Sequence, residues 1–190
     1  MTKKHIITLG GLPGSGKTTV RHLLAERLGY KIFSTGHLAR RLAEERGMTL
    51  EAFNELAVSS AEIDHLIDAE LERIEHEEDN YVIDSHLAFH FVPSAFAVYL
   101  DISIETAVQR VFGDRESEIR KRSGDIADTL EESLIKTRKR IDNHKERYML
   151  HYGVNPYIPS QYTCVINAES ITPEEVTEKI LVAYTDWQSA

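Results

Sequence analysis

Gly11-Leu12-Pro13-Gly14-Ser15-Gly16-Lys17-Thr18 decides how this chain is read. The string satisfies G-x-x-x-x-G-K-[ST], the pattern of a loop that wraps the phosphates of a nucleotide, the P-loop. Such a loop must aim successive backbone N–H groups inward, and side chains would obstruct that approach. Gly11, Gly14 and Gly16 remove the obstruction and permit positive φ. Lys17 is placed to set its ammonium on the β/γ oxygens, and Thr18 to offer a hydroxyl to Mg²⁺. The helix that starts there adds unpaired N–H groups and the positive end of its dipole. Pro13, Ser15 and Thr19 complete the expected ATP-binding set.

The flanks supply the context this motif requires. His5-Ile6-Ile7-Thr8-Leu9 reads as a short buried strand. Beyond the loop, Val20, Leu23, Leu24 and Leu28 recur at helical spacing. The order is strand, glycine loop, helix.

Working outward, Lys31-Ile32-Phe33-Ser34 reads as a second strand and Gly36 to Glu45 as a helix stopped by Gly47. Thr49 caps a short helix through Leu50, Phe53 and Leu56; Ile63, Leu66, Ile67, Leu71 and Ile74 mark another. Tyr81-Val82-Ile83-Asp84 is a third strand and Ala95 to Leu100 a fourth, followed by a helix capped by Ser103 and ending near Gly113. The stretch from Asp114 to Asp128 is densely charged and reads as mobile. Thr129 and Glu132 form a capping box before a long helix that carries Leu130, Leu134, Ile141, Tyr148 and Tyr152 and ends before Gly153. Tyr162 to Ile166 is a fifth strand; Thr172, Pro173 and Glu175 open the last helix. Strands alternating with helices predict an α/β fold, a parallel sheet covered on both faces. Ligands in such folds bind beyond the carboxyl ends of the strands, where the loop, Ser34, Asp84 and Asp101 all fall.

The chain has 190 residues, which suits one domain. Its formal net charge of −9 argues against wholesale binding to a nucleic acid polymer. No apolar run is long enough to span a bilayer, and the first strand follows Met1 too closely for a signal peptide. The single cysteine, Cys164, allows no intrachain disulfide and reads as packing. These features predict a cytoplasmic protein that uses Mg²⁺ and ATP on a small-molecule partner, without a membrane.

Asp84 closes an apolar strand, where an acid can hold Mg²⁺ directly or through water; it can equally cap the next turn. Asp101 reads better as a cap. Phosphoryl transfer needs positive charge around the moving group, and arginine's planar fork matches phosphate. Arg40, Arg110, Arg140 and Arg147 are candidates; Arg138 is offset from the face that Arg140 and Arg147 share. Each can also be a solvated helix residue. His86 and His90 have the spacing of a metal pair, but no third ligand is evident.

The chain resembles the nucleoside monophosphate kinases, and among them the short archaeal-type cytidylate kinases. The resemblance covers nearly its whole length through GLPGSGKTT, STGHLARRLAEERGM, AEIDHLID and TRKRIDNHKERYMLHYGV, with RVFGDR similar to the entry of an adenylate kinase lid. It implies a P-loop three-layer fold with strand order 2-3-1-4-5. It also implies an acceptor-binding helical segment over about 36–76 and a lid over about 113–147. Ser34, Gly36 and Arg40 would then face the acceptor, with Asp64 and Asp68 on its base or sugar. Arg110 would lie over adenine, while Arg138 and Arg140 reach the phosphates and Arg147 supports them. Where the family has Gly-Arg after the third strand, this chain has Ser85-His86, so His86 is the candidate for the acceptor phosphate. Lys17, Arg110, Arg138 and Arg140 are the expected catalytic set. The expected reaction is transfer of the γ-phosphoryl of Mg·ATP to a nucleoside monophosphate such as CMP. A kinase acting on a metabolite hydroxyl and a nucleotide-binding regulator are the alternatives.

Overall fold

The computed structural model describes residues 3–59, 61–114 and 127–190. Its centre is β1 (Ile6–Gly11), six residues buried without exception. A strand buried on both sides must be covered by helices on both sides, and side chains alternate between the two faces. Ile7 and Leu9 point into one apolar layer with Val20, Leu24, Val98, Leu100 and Ile180. Ile6 points into the other with Leu71, Ile74, Ile83 and Val92.

The elements follow in the expected alternation: α1 (Lys17–Leu28), β2 (Lys31–Ser34), α2 (Thr35–Glu45), α3 (Leu50–Ser59), α4 (Ala61–Glu77), β3 (Tyr81–Asp84), α5 (Ala88–Phe91), β4 (Phe96–Asp101), α6 (Ile104–Gly113), α7 (Leu130–Tyr152), β5 (Cys164–Asn167) and α8 (Pro173–Ser189). The five strands form one sheet in the order β2-β3-β1-β4-β5, with every pair parallel. This is the P-loop three-layer fold. Ser34 pairs in register with Asp84, which brings the ends of β2 and β3 together beside the loop after β1. No helix of the described residues is long and apolar enough to cross a membrane.

Some boundaries differ from expectation, each for a local reason. β1 runs on to Gly11 because its ladder with β4 continues through Gly10↔Tyr99 and Gly11↔Leu100. β5 starts at Cys164, since a 3-10 turn at Pro159–Gln161 occupies the residues before it. The short helix α5 has no sequence signal of its own. The box at Thr129 is half formed: its side chain accepts from Glu132 N, but the Glu132 carboxylate accepts the N–H of Asp128 at 2.9 Å. The box at Thr172 and Glu175 is complete, with Pro173 at the first helical position. Much of the expected lid, 115–126, lies outside the described residues.

Two aromatic groups brace the sheet. Tyr162 packs on Tyr99 and Phe89 with ring centroids 5.0 and 4.5 Å away, and its hydroxyl donates to Pro156 O at 2.8 Å. It lies so close over Gly10 that a Cβ there would stand 2.4 Å from its hydroxyl. At the other end of β4, Trp187 packs on Phe96 and Tyr184 at 5.4 and 6.1 Å, with the Lys3 ammonium 5.0 Å from its ring.

Candidate active site

The loop after β1 turns through positive φ at Gly14 (87°), where a Cβ would sit 2.6 Å from Ala107 O. Only glycine accepts both constraints. Gly16, also left-handed, caps α1, so the first turn of that helix presents its N–H groups to the cleft. Lys17 Nζ donates to Gly11 O (2.9 Å), Leu12 O (2.8 Å) and Ser15 Oγ (3.2 Å), folded over the space its own loop encloses. Thr18 and Thr19 follow on the exposed first turn.

These residues line one large cleft of about 1270 Å³ that extends from α8 to α2 and α4. At one end Arg110 donates from Nη2 to Ala168 O (2.9 Å) and Glu169 O (3.1 Å), which fixes its guanidinium plane beside the loop after β5. Ser34, Gly36 and Arg40 line the opposite end. There Ser34 Oγ caps α2 by accepting from His37 N. A Cβ on Gly36 would meet the Arg40 guanidinium only at 3.8 Å, so the glycine leaves space rather than relieving strain.

Helix α7 supplies the wall over the phosphates. Arg140, His144, Arg147 and Tyr148 line the cleft from one face, at the spacing of successive turns. Arg138 does not: it is exposed and absent from the cleft wall, because two residues of helix rotate a side chain by about 200°. The structure therefore does not bring Arg138, expected at the phosphates, into the cleft with Arg140 and Arg147. Buried Arg147 donates to the Tyr148 hydroxyl (3.0 Å) and pairs with Asp64 (3.4 Å) across from α4.

Asp64 and Asp68 are both buried, 3% and 8% exposed, on one face of α4. Oδ2 of Asp64 has no hydrogen-bond partner among the described residues. Burial pushes the Asp64 carboxyl up against the opposing pull of Arg147. Asp68 accepts from the Tyr152 hydroxyl, and burial pushes its carboxyl up to about 6. Two carboxylates held out of water, one with an unused acceptor, are unfavourable without a donor to receive.

His86 lines the cleft, with its ring centroid 4.6 Å from His144 and 5.6 Å from Tyr157. His144 Nδ1 lies 2.8 Å from the Tyr157 hydroxyl. Burial, then Lys17, Arg140 and Arg147, hold His86 well below the usual imidazole range. The structure thus places His86, the candidate for the acceptor phosphate, in the cleft wall, with its charged form disfavoured in the free protein. His90 points elsewhere, edge-on to Phe91.

Asp84 also lines the cleft, but its Oδ2 pairs with Arg21 Nη1 at 3.3 Å. Oxygen donors of this kind, the Thr18 hydroxyl and a carboxylate, suit Mg²⁺, which keeps waters and shares phosphate oxygens. Arg21, His144 and Tyr148 are cleft residues that sequence reasoning missed. Their signals were Arg21's position four after Lys17, and the spacing of the others from Arg140.

Comparison with known proteins gives a consistent result. The AAA domain family, AAA_18, matches residues 7–139. A cytidylate kinase of Sulfurisphaera tokodaii is 35% identical over 187 residues, 97% of either chain. One of Archaeoglobus fulgidus is 36% identical over 180 residues, 93% of either chain. The crystal structure of shikimate kinase from Aquifex aeolicus superposes with a TM-score of 0.58 at 21% identity, covering 95% of this chain and 96% of that one, a likeness of fold alone.

Proposed function

This chain belongs to the cytidylate kinase family, and from that premise and the cleft we infer that it transfers the γ-phosphoryl group of ATP to CMP. It is an ATP-dependent kinase, and its acceptor is a small molecule, a nucleoside monophosphate. The observation that carries the choice of base is the buried acidic pair Asp64 and Asp68 at the acceptor end, opposite the phosphate loop.

The roles follow from placement. Loop N–H groups and Lys17 hold the donor phosphates, with Lys17 exchanging its loop carbonyls for phosphate oxygens. Arg110 offers a flat cationic face to the donor base. Thr18 and Asp84 would hold Mg²⁺, which would supply positive charge to the donor phosphates. Arg140 stabilises charge on the transferring group, and Arg147 supports that wall while holding Asp64. The acceptor's phosphate oxygen attacks as an anion, so no general base is required, in keeping with the neutral His86 ring. Cytosine presents an N4 amine where uracil presents a carbonyl oxygen, and a carboxylate accepts from the first and repels the second.

The test is turnover of ATP against CMP, UMP, AMP, GMP and shikimate, with products read by mass. CMP is expected to be converted with the largest kcat/KM. Exclusive conversion of a hydroxyl acceptor would overturn the reading.

Asp68 makes the base assignment measurable through pH. Its carboxylate accepts the N4 amine strongly above pH of about 6; below it the protonated form is a weaker acceptor and gains an O–H donor that suits the uracil carbonyl. Preference for CMP over UMP is expected to fall as pH drops from 7.5 to 5. The ratio of their KM values cancels the titration of the phosphate they share. Asp68→Asn should lower the preference about tenfold at neutral pH and flatten its profile. A wild-type ratio that stays constant with pH would remove Asp68 from base recognition.

A further inference from the structure

Arg21 leaves α1 on the same face as Lys17, one turn further on. Its side chain is only 9% exposed, yet it lines the cleft. A guanidinium carries five N–H donors. One meets Asp84 Oδ2 at 3.3 Å and another lies 3.0 Å from His22 Nε2. Nε is buried with no hydrogen-bond partner among the described residues.

This arrangement is poor as a structural ion pair. Burial of a permanent charge is offset only by good geometry and full hydrogen bonding, and a bidentate fork is what supplies them. A single 3.3 Å contact is not that. Nor does the apolar layer need a cation here, because Val20, Leu24 and Ala25 of the same helix already fill it. A buried, under-used guanidinium in a cleft wall is explained by an anion.

Its position selects the anion. The donor phosphates belong to the loop and to Lys17, and Arg110 marks the donor's base end by the loop after β5. Arg21 reaches the opposite way, to Asp84 at the end of β3, whose register partner is Ser34 at the end of β2. Those two strand ends open on the side of α2 and α4, where Arg40 and Asp64 line the cleft.

We propose that Arg21 binds the phosphate of the acceptor nucleotide, and that Asp84 serves as its counter-ion while the acceptor is absent. The proposal deepens the reading as a nucleoside monophosphate kinase and rests on it. A dianionic phosphate offers the fork the paired oxygens that Asp84 does not. Because arginine stays charged throughout the physiological range, Arg21 favours CMP over cytidine across that range, with only the phosphate's own titration to modulate it. Release from Arg21 also frees the Asp84 carboxylate in the cleft that Thr18 lines, so acceptor binding would leave that oxygen available to Mg²⁺.

Arg21→Gln and Arg21→Lys test this, with circular dichroism as the check on folding. Arg21→Gln should raise KM for CMP by roughly 10- to 100-fold, with KM for ATP changed less than about twofold. Arg21→Lys should recover part of the loss. By calorimetry without ATP, wild type should bind CMP more tightly than cytidine, and Arg21→Gln should bind the two alike. Asp84→Asn, which removes the counter-ion, should tighten CMP binding in the same assay even as turnover falls. If Arg21→Gln does not fold, Arg21→Lys and Asp84→Asn carry the test. Loss confined to ATP or Mg²⁺, or a preference for CMP over cytidine that survives Arg21→Gln, would overturn the proposal. Should wild type convert UMP or AMP in place of CMP, the cytosine reading fails alone, and the same variants are scored on that nucleotide and its nucleoside. Conversion of no monophosphate would overturn both.

Discussion

Lys17→Ala is expected to leave the protein folded and to lower kcat about a thousandfold, roughly 4 kcal/mol of transition-state stabilisation. The fold survives because the bonds that Lys17 makes in the free protein, to Gly11 O, Leu12 O and Ser15 Oγ, lie in an open cleft. Water replaces the ammonium there at little cost. The rate does not survive, because charge on the β–γ bridge is greatest as that bond breaks. A preformed cation in a partly dry site then contributes more than it does to binding ATP. KM for ATP should therefore change far less than kcat. Steady-state kinetics beside a thermal melt measure both quantities. A folded variant with near-normal turnover would remove the loop from catalysis.

The largest stability effect is expected at Gly10→Ala. The new Cβ would stand 2.4–2.6 Å from three atoms of the Tyr162 ring and hydroxyl. The ring has little freedom to retreat, being 8% exposed, packed on Tyr99 and Phe89, and tied to Pro156 O. Overpacking of this kind costs about 2–3 kcal/mol, which for a chain of this size lowers Tm by roughly 4–12 °C. Tyr162→Leu shortens the obstructing side chain. Gly10→Ala should accordingly cost at least about 1 kcal/mol less in the Tyr162→Leu background, a coupling that a double-mutant cycle reads directly. Additive losses would mean that the contact with Tyr162 does not set the requirement for glycine.

Local patterns foretold the frame of this molecule better than its cleft. The P-loop and its flanks imply β1, the turn and α1, because motif, strand and helix are contiguous. Helix ends at Gly47 and Gly153 were legible because both adopt the left-handed conformation that glycine supplies. The cleft was less legible because its residues meet across elements. Helical spacing already set Arg138 off the face of Arg140 and Arg147, whereas the resemblance grouped it with them at the phosphates; the structure follows the spacing. His86 was legible as a candidate for the acceptor phosphate, but a sequence carries no burial; burial against His144, and then three nearby cations, disfavours its charged form. Arg21 was hidden differently. Beside Val20 and Leu24 it reads as the polar face of an amphipathic helix, whereas that face is turned inward beneath Asp84. The acidic pair Asp64 and Asp68 entered only through the resemblance, and its unsatisfied acceptor was not legible at all.

Trp187 has a practical consequence as an optical probe. It is the single tryptophan in the chain. Its ring rests on Phe96 at the start of β4, whereas the cleft opens beyond the other end of that strand, about 16 Å away by strand rise. Indole emission therefore reports the detachment of the C-terminal helix and is blind to quenching by nucleotide bases. Melts followed at that wavelength, with and without ATP or CMP, register each ligand through mass action alone. Tyr148 of α7, which lines the cleft, is placed to carry the complementary signal, so occupancy and integrity can be followed in one cuvette without attaching a dye.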